Sequence, residues 1–104
     1  TSDNTVVSAL DSVVKVANNK KIPLFGGDTT TVEKGMIAAY GLNYFQVGYS
    51  AGKKAVLILK GKDPGAVPSG LTENLSLWVN LKAAKDQGVT VSEKFIKMAE
   101  KVFR

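Results

Sequence analysis

The 104-residue chain is 44% hydrophobic and 22% charged, an ordinary balance for a globular fold, and it has the length of one domain or of a piece of something larger. Its 14 basic and 9 acidic residues give +5, but all the basic residues except Arg104 are lysines scattered along the chain, whereas nucleic-acid readers cluster charge and favour arginine. With no Cys and no His, disulfide and thiol chemistry are excluded and the commonest general base and metal ligand are missing.

The first residues, Thr1-Ser2-Asp3-Asn4, show neither an initiator Met nor an export signal, so the chain reads as an internal start, a fragment or a processed product. No run approaches the ~18 apolar residues of a membrane span. From Thr5 to Asn18, Val6, Val7, Leu10, Val13, Val14 and Ala17 recur at spacings of three and four, which predicts one helix capped by Asp3 or Asn4. Ile22 to Phe25 reads as a buried strand, with Pro23 hinting at an edge position. Gly26-Gly27-Asp28-Thr29-Thr30 follows, the glycines permitting a sharp turn or a close approach.

Thr30 to Gly35 predicts a short helical turn and Met36 to Tyr40 a second strand. The longest helix spans Tyr44 to Lys60, where Gly48, Ala51, Gly52 and Ala55 suggest close packing, since Gly costs a helix about 1 kcal/mol relative to Ala. Gly61 stops it. Lys62 to Thr72 is a loop punctuated by Asp63-Pro64-Gly65, Pro68 and Ser69-Gly70. Asn74 to Val79 alternates as a third strand, Asn80 caps a helix to Gln87, and Ser92 caps a last helix carrying Phe95, Ile96, Ala99, Val102 and Phe103. Helix and strand alternation predicts an α/β fold with a Rossmann-like parallel sheet.

Acidic residues off the helix faces are few: Asp3, Asp28, Asp63 and Glu73. Asp63 is explained by its turn. Asp28 stands where a strand ends, the place at which open α/β sheets collect ligands, and two readings are open. It either meets a cation, an amine or hydroxyl groups, or caps the turn through Thr29 and Thr30. Asp3 and Asn4 likewise either cap a helix or mark an anion corner. Tyr40, Tyr44 and Phe45 flank the end of the second strand, as core or as walls of a pocket. No nucleophile is paired with a base, and no phosphate loop or dinucleotide fingerprint is present, so neither an enzyme nor a cofactor is implied.

The segments Thr1-Ser2-Asp3-Asn4-Thr5-Val6-Val7-Ser8-Ala9, Lys21-Ile22-Pro23-Leu24-Phe25-Gly26-Gly27-Asp28, Gly41-Leu42-Asn43-Tyr44-Phe45-Gln46-Val47-Gly48 and Val79-Asn80-Leu81-Lys82-Ala83-Ala84 resemble the carboxyl-terminal third of ABC-transporter substrate-binding proteins of the tryptophan/tyrosine type. The resemblance implies part of a type I periplasmic binding fold, in which two α/β lobes close over a solute. It implies that residues 1–31 belong to the second lobe, 36–61 to the first, and 62–104 to a crossover and the carboxyl-terminal strand and helices. It makes Asp28, Asp3 and Asn4 candidate ligand contacts, with Tyr40 and Asn43 carried over more weakly. The implied partners are a small amine-bearing solute, an amino acid, and a membrane permease, with a second copy as a further candidate over exposed strand edges. The implied location is periplasmic or extracellular, on a lipid anchor. An effector-binding domain of a transcription regulator shares the fold, but no helix-turn-helix accompanies this sequence.

Overall fold

The structure is a computed structural model describing residues 3–70 and 75–104; Thr1, Ser2, Thr72, Glu73 and Asn74, named above, lie outside the described residues. It divides into two compact units, Thr1–Gly41 with Ser76–Arg104, and Leu42–Leu75. The strand predicted at Met36–Tyr40 therefore groups with the first unit, apart from the long helix that follows it.

The chain opens with α1 (Asn4–Ser8) and α2 (Leu10–Lys20), two helices where periodicity predicts one. The break at Ala9 has a local cause: the Ser8 hydroxyl donates to the Asn4 carbonyl at 2.7 Å, a back-bond that bends helices. The strand predicted at Ile22–Phe25 shrinks to β1 (Phe25–Gly26). Pro23 has no N–H to give, and the Leu24 N–H goes to the Gln87 side chain at 2.8 Å rather than to a neighbouring strand. Nor is β1 buried, since Phe25 is 64% exposed. Next come α3 (Thr30–Glu33) and β2 (Ala38–Leu42), with Gly35 at φ 116° between them.

After the second unit the chain continues through β3 (Leu75–Asn80), α5 (Leu81–Asp86), α6 (Glu93–Met98) and β4 (Lys101–Phe103). The last helix is thus shorter than predicted. Ala99 turns extended at φ −76°, ψ 133°, the Glu100 N–H donates to the Leu77 carbonyl at 2.8 Å, and Val102 and Phe103 pair with β3 instead of completing a helical face. Pairing along a strand edge overrides a period that a helix would share. The sheet order is β1-β2-β3-β4, with β1–β2 and β3–β4 parallel, and the sheet as a whole is mixed. Ile37, Ala38, Val79 and Ala84 form its buried core, with Leu10, Ala17 and Val32 also buried.

The second unit consists mainly of α4 (Tyr44–Leu59), capped by Asn43 and ended near Gly61 at φ 92°, and a 3-10 turn at Pro64–Ala66 capped by Asp63. Within α4 no residue is buried. A Cβ at Gly48 or Gly52 would meet nothing within 4 Å, so the close packing predicted for these glycines has no counterpart among the described residues.

Candidate functional site

Asp28 lies just past the carboxyl end of β1, half-buried. Its Oδ1 accepts from the Thr30 N–H and from the Thr30 hydroxyl, both at 2.8 Å. Its carbonyl accepts from the Thr31 hydroxyl at 2.6 Å and the Thr31 N–H at 3.2 Å. The turn-capping role is therefore realised, and it fixes the direction of the carboxylate.

Two glycines decide how this turn sits. A Cβ on Gly26 would come within 2.5 Å of the Thr31 hydroxyl and 2.6 Å of the Met36 sulfur. A Cβ on Gly41, in β2, would come within 2.5 Å of the Gly27 carbonyl oxygen and 3.6 Å of the Asp28 Cα. Only glycine permits that approach. Gly27 is different: it has no left-handed φ, and a Cβ there would meet nothing within 4 Å. The approach of Gly41 sets the end of β2 against the Asp28 turn, as a parallel β1–β2 pair requires. Tyr40, beside Gly41, is 63% exposed and so is not a core residue.

Asp3 and Asn4 sit at the start of α1. Asp3 Oδ1 accepts from the N–H groups of Thr5 at 2.8 Å and Val6 at 3.2 Å. The Val6 bond, then the Thr5 bond, lowers its pKa from the ordinary 3.8, because both favour the charged form. Those amides are the donors an anion would use at a helix start, so the anion corner is filled by the chain's own carboxylate. Asn4 is exposed. Asn43 belongs to the second unit, where its Oδ1 accepts from the Gln46 N–H at 3.3 Å; Tyr44 and Phe45 beside it are exposed. Phe45 stacks on Tyr49 with ring centroids 6.3 Å apart, and Lys53 lies 5.0 Å from the Tyr49 ring.

Two buried amides that sequence reading treats as helix punctuation turn out to support the Asp28 segment. Gln87 accepts from the Leu24 N–H at 2.8 Å and donates to the Gly35 carbonyl at 2.9 Å. Asn80 donates to the Val32 carbonyl at 2.9 Å while accepting from the Ala83 N–H at 2.9 Å. The second Asn80 bond is the predicted cap; the bonds to Val32, Leu24 and Gly35 cross long stretches of sequence and leave no local signal.

Among the described residues no group of three or more His, Cys, Asp or Glu is placed to hold a metal ion, and no helix is long and apolar enough to cross a membrane. An apolar hollow of about 360 Å³, lined by Ser12, Val13, Val16, Ala17, Ile22 and Leu24, offers no charged group. The turn around Asp28 holds one oriented carboxylate, a group whose chemistry suits a cationic or hydroxylic partner.

Residues 1–103 match the family described as ABC transporter substrate binding protein. The chain is 35% identical over 103 residues to the tyrosine-binding protein of Clostridioides difficile (strain R20291), covering 95% of this chain and 30% of that one. It superposes with a TM-score of 0.78 and 30% identity on a Streptococcus pneumonia structure described as the ABC domain in complex with L-Trp, covering 98% of this chain and 35% of that one. A conserved domain protein from Vibrio cholerae gives a TM-score of 0.80 at 36% identity, over 97% and 34% of the two chains. The chain spans about a third of the length of these relatives.

Proposed function

The chain belongs to the ABC transporter substrate-binding protein family, and from that premise we propose that it forms part of a cleft holding a small amine-bearing solute, an aromatic amino acid such as tyrosine or tryptophan. The observation that carries the proposal is the match over residues 1–103, together with one relative named for binding tyrosine and another described in complex with L-Trp. The fixed carboxylate of Asp28 supports it further. A positive ammonium group is the complement of a carboxylate held beyond a strand end, and charge-assisted hydrogen bonds are about twice as strong as neutral ones. Asp3 and Asn4 at the start of α1, Tyr40 in β2 and Asn43 ahead of α4 are the remaining candidate contacts on the family resemblance.

In this reading the unit Thr1–Gly41 with Ser76–Arg104 belongs to the second lobe, and Leu42–Leu75 to the first. The exposed apolar residues of α4 agree with that division. Phe45, Tyr49, Val56, Leu57 and Leu59 are all exposed, and an apolar helix face of this extent is one that other structure covers. The rest of a first lobe, which the relatives have the length to supply, is the natural cover.

The role is binding rather than catalysis, in keeping with a family that is typically non-enzymatic. A solute that contacts both lobes stabilises the closed state by its differential affinity, and a membrane permease then reads closure. Such a protein works outside the cytoplasm, in the periplasm or at the cell surface on a lipid anchor. The family match favours this reading over the effector-binding domain of a regulator. Calorimetric titration of the full-length protein with a panel of amino acids tests it: saturable binding of an aromatic amino acid is expected, and no saturable binding of any amino acid would refute it.

A further inference from the structure

We propose that Gln87 is a positioning residue for ligand binding: its buried side-chain amide pins both ends of the Leu24–Gly35 segment and thereby sets where the Asp28 carboxylate stands. The inference rests on the reading of Asp28 as the partner of the ligand amine.

Gln87 is 1% exposed and caps the end of α5, ahead of Gly88 at φ 76°. Its Oε1 takes the Leu24 N–H and its Nε2 gives to the Gly35 carbonyl. These two backbone groups bracket the stretch that contains Gly26, Gly27, Asp28 and α3. Asn80, at the other end of α5 and 8% exposed, adds a third anchor inside the same stretch, at the Val32 carbonyl. A single short helix thus grips the Asp28-bearing segment from both of its own ends.

The chemistry demands an amide at position 87. A side chain that must accept from one backbone N–H and donate to one backbone C=O needs both functions on one planar group. An ionised Glu accepts only, and Met does neither. The side chain that makes both bonds is buried and the bonds themselves are part-buried, so breaking them leaves polar groups poorly served by water. Within the clamped stretch β1 pairs with β2, and two residues bond locally to the turn: Thr30 to the Asp28 carboxylate and Thr31 to the Asp28 carbonyl. These orient the carboxylate relative to its own turn, while Gln87 orients the turn relative to α5. A binding group held by its surroundings needs no ordering when the ligand arrives, which is the general source of affinity from preorganisation.

The test compares L-tyrosine with 3-(4-hydroxyphenyl)propionate, which lacks only the amine, by calorimetric titration of the full-length protein. The proteins are wild type, Gln87→Met, Asp28→Asn and the double variant, at a temperature where each is folded by circular dichroism. Gln87→Met is expected to weaken L-tyrosine by about tenfold, a loss of one charge-assisted contact, and to leave the des-amino analogue essentially unchanged. The double variant is expected to bind L-tyrosine no worse than Asp28→Asn alone, because both changes remove the same contact. Should Gln87→Met fail to fold, Gln87→Glu gives the same readout while retaining the acceptor for Leu24. Equal weakening of both ligands, no weakening, or additive losses in the double variant would each overturn the positioning role while leaving Asp28 in place. Unaltered L-tyrosine affinity in Asp28→Asn would overturn the reading of Asp28 itself, and this inference with it.

Discussion

Replacing Gly41 with Ala perturbs the junction of β2 and the Asp28 turn with the smallest possible group. The new Cβ would lie 2.5 Å from the Gly27 carbonyl oxygen and 3.3 Å from its carbonyl carbon. To reach an ordinary 3.4 Å contact, the two backbones must separate by about 0.9 Å, and neither is a flexible side-chain end that moves cheaply. Forced backbone shifts of this kind cost about 1–3 kcal/mol, and each kcal/mol lowers Tm by roughly 4–8 °C in a domain of this size. Thermal unfolding followed by circular dichroism is the assay, with Gly27→Ala as the control. A Cβ at Gly27 has open space and no left-handed φ to violate, so that variant is expected to be neutral or stabilised by up to about 1 kcal/mol. A neutral Gly41→Ala, or equal losses in both variants, would refute the close approach on which the site's geometry depends.

Other outcomes follow from the same structure. Gly52→Ala adds a Cβ into open space on an exposed helix, so it should stabilise the isolated 104-residue chain by about 0.5–1 kcal/mol. If the rest of a first lobe packs on α4, the same change should destabilise the full-length protein; equal stabilisation of both by chemical denaturation would count against that packing. Asp3 has a pKa lowered in the folded state, so its contribution to capping α1 is fully present above 3.8, the ordinary value, and is lost as pH falls through the lower folded value. Amide exchange at Thr5 and Val6 should therefore accelerate below that pH, and Asp3→Asn should abolish the acceleration; exchange indifferent to both would contradict the cap.

The features legible in the sequence are those with local causes. Asp3, Asn80 and Ser92 cap where spacing places them and Asp63 serves its turn, and Gly35, Gly61 and Gly88 take the positive φ that ends an element. Local chemistry and local geometry suffice for each. What sequence spacing could not settle depends on distant partners. Val102 and Phe103 fit a helical face and a strand equally well, and only β3 decides between them. Pro23 hinted at an edge, but the length of β1 is set by Gln87, far along the chain. The meeting of the Asp28 turn with the end of β2 was readable from strand order in a parallel sheet, whereas the close approach at Gly41 was not. The Gln87 bonds behind it were not, because a glutamine before a helix-ending glycine reads the same whether it faces water or the core.

Titration of L-tyrosine into Asp28→Asn and wild-type full-length protein, under matched conditions, bears most directly on the account. Asn keeps an oxygen to accept from the Thr30 N–H, so the turn survives while the charge is removed. A loss of at least about tenfold in affinity, with unchanged thermal stability, is the expected result, corresponding to about 1.4 kcal/mol for a lost ammonium–carboxylate contact. Affinity equal to wild type would show that this carboxylate serves its turn alone.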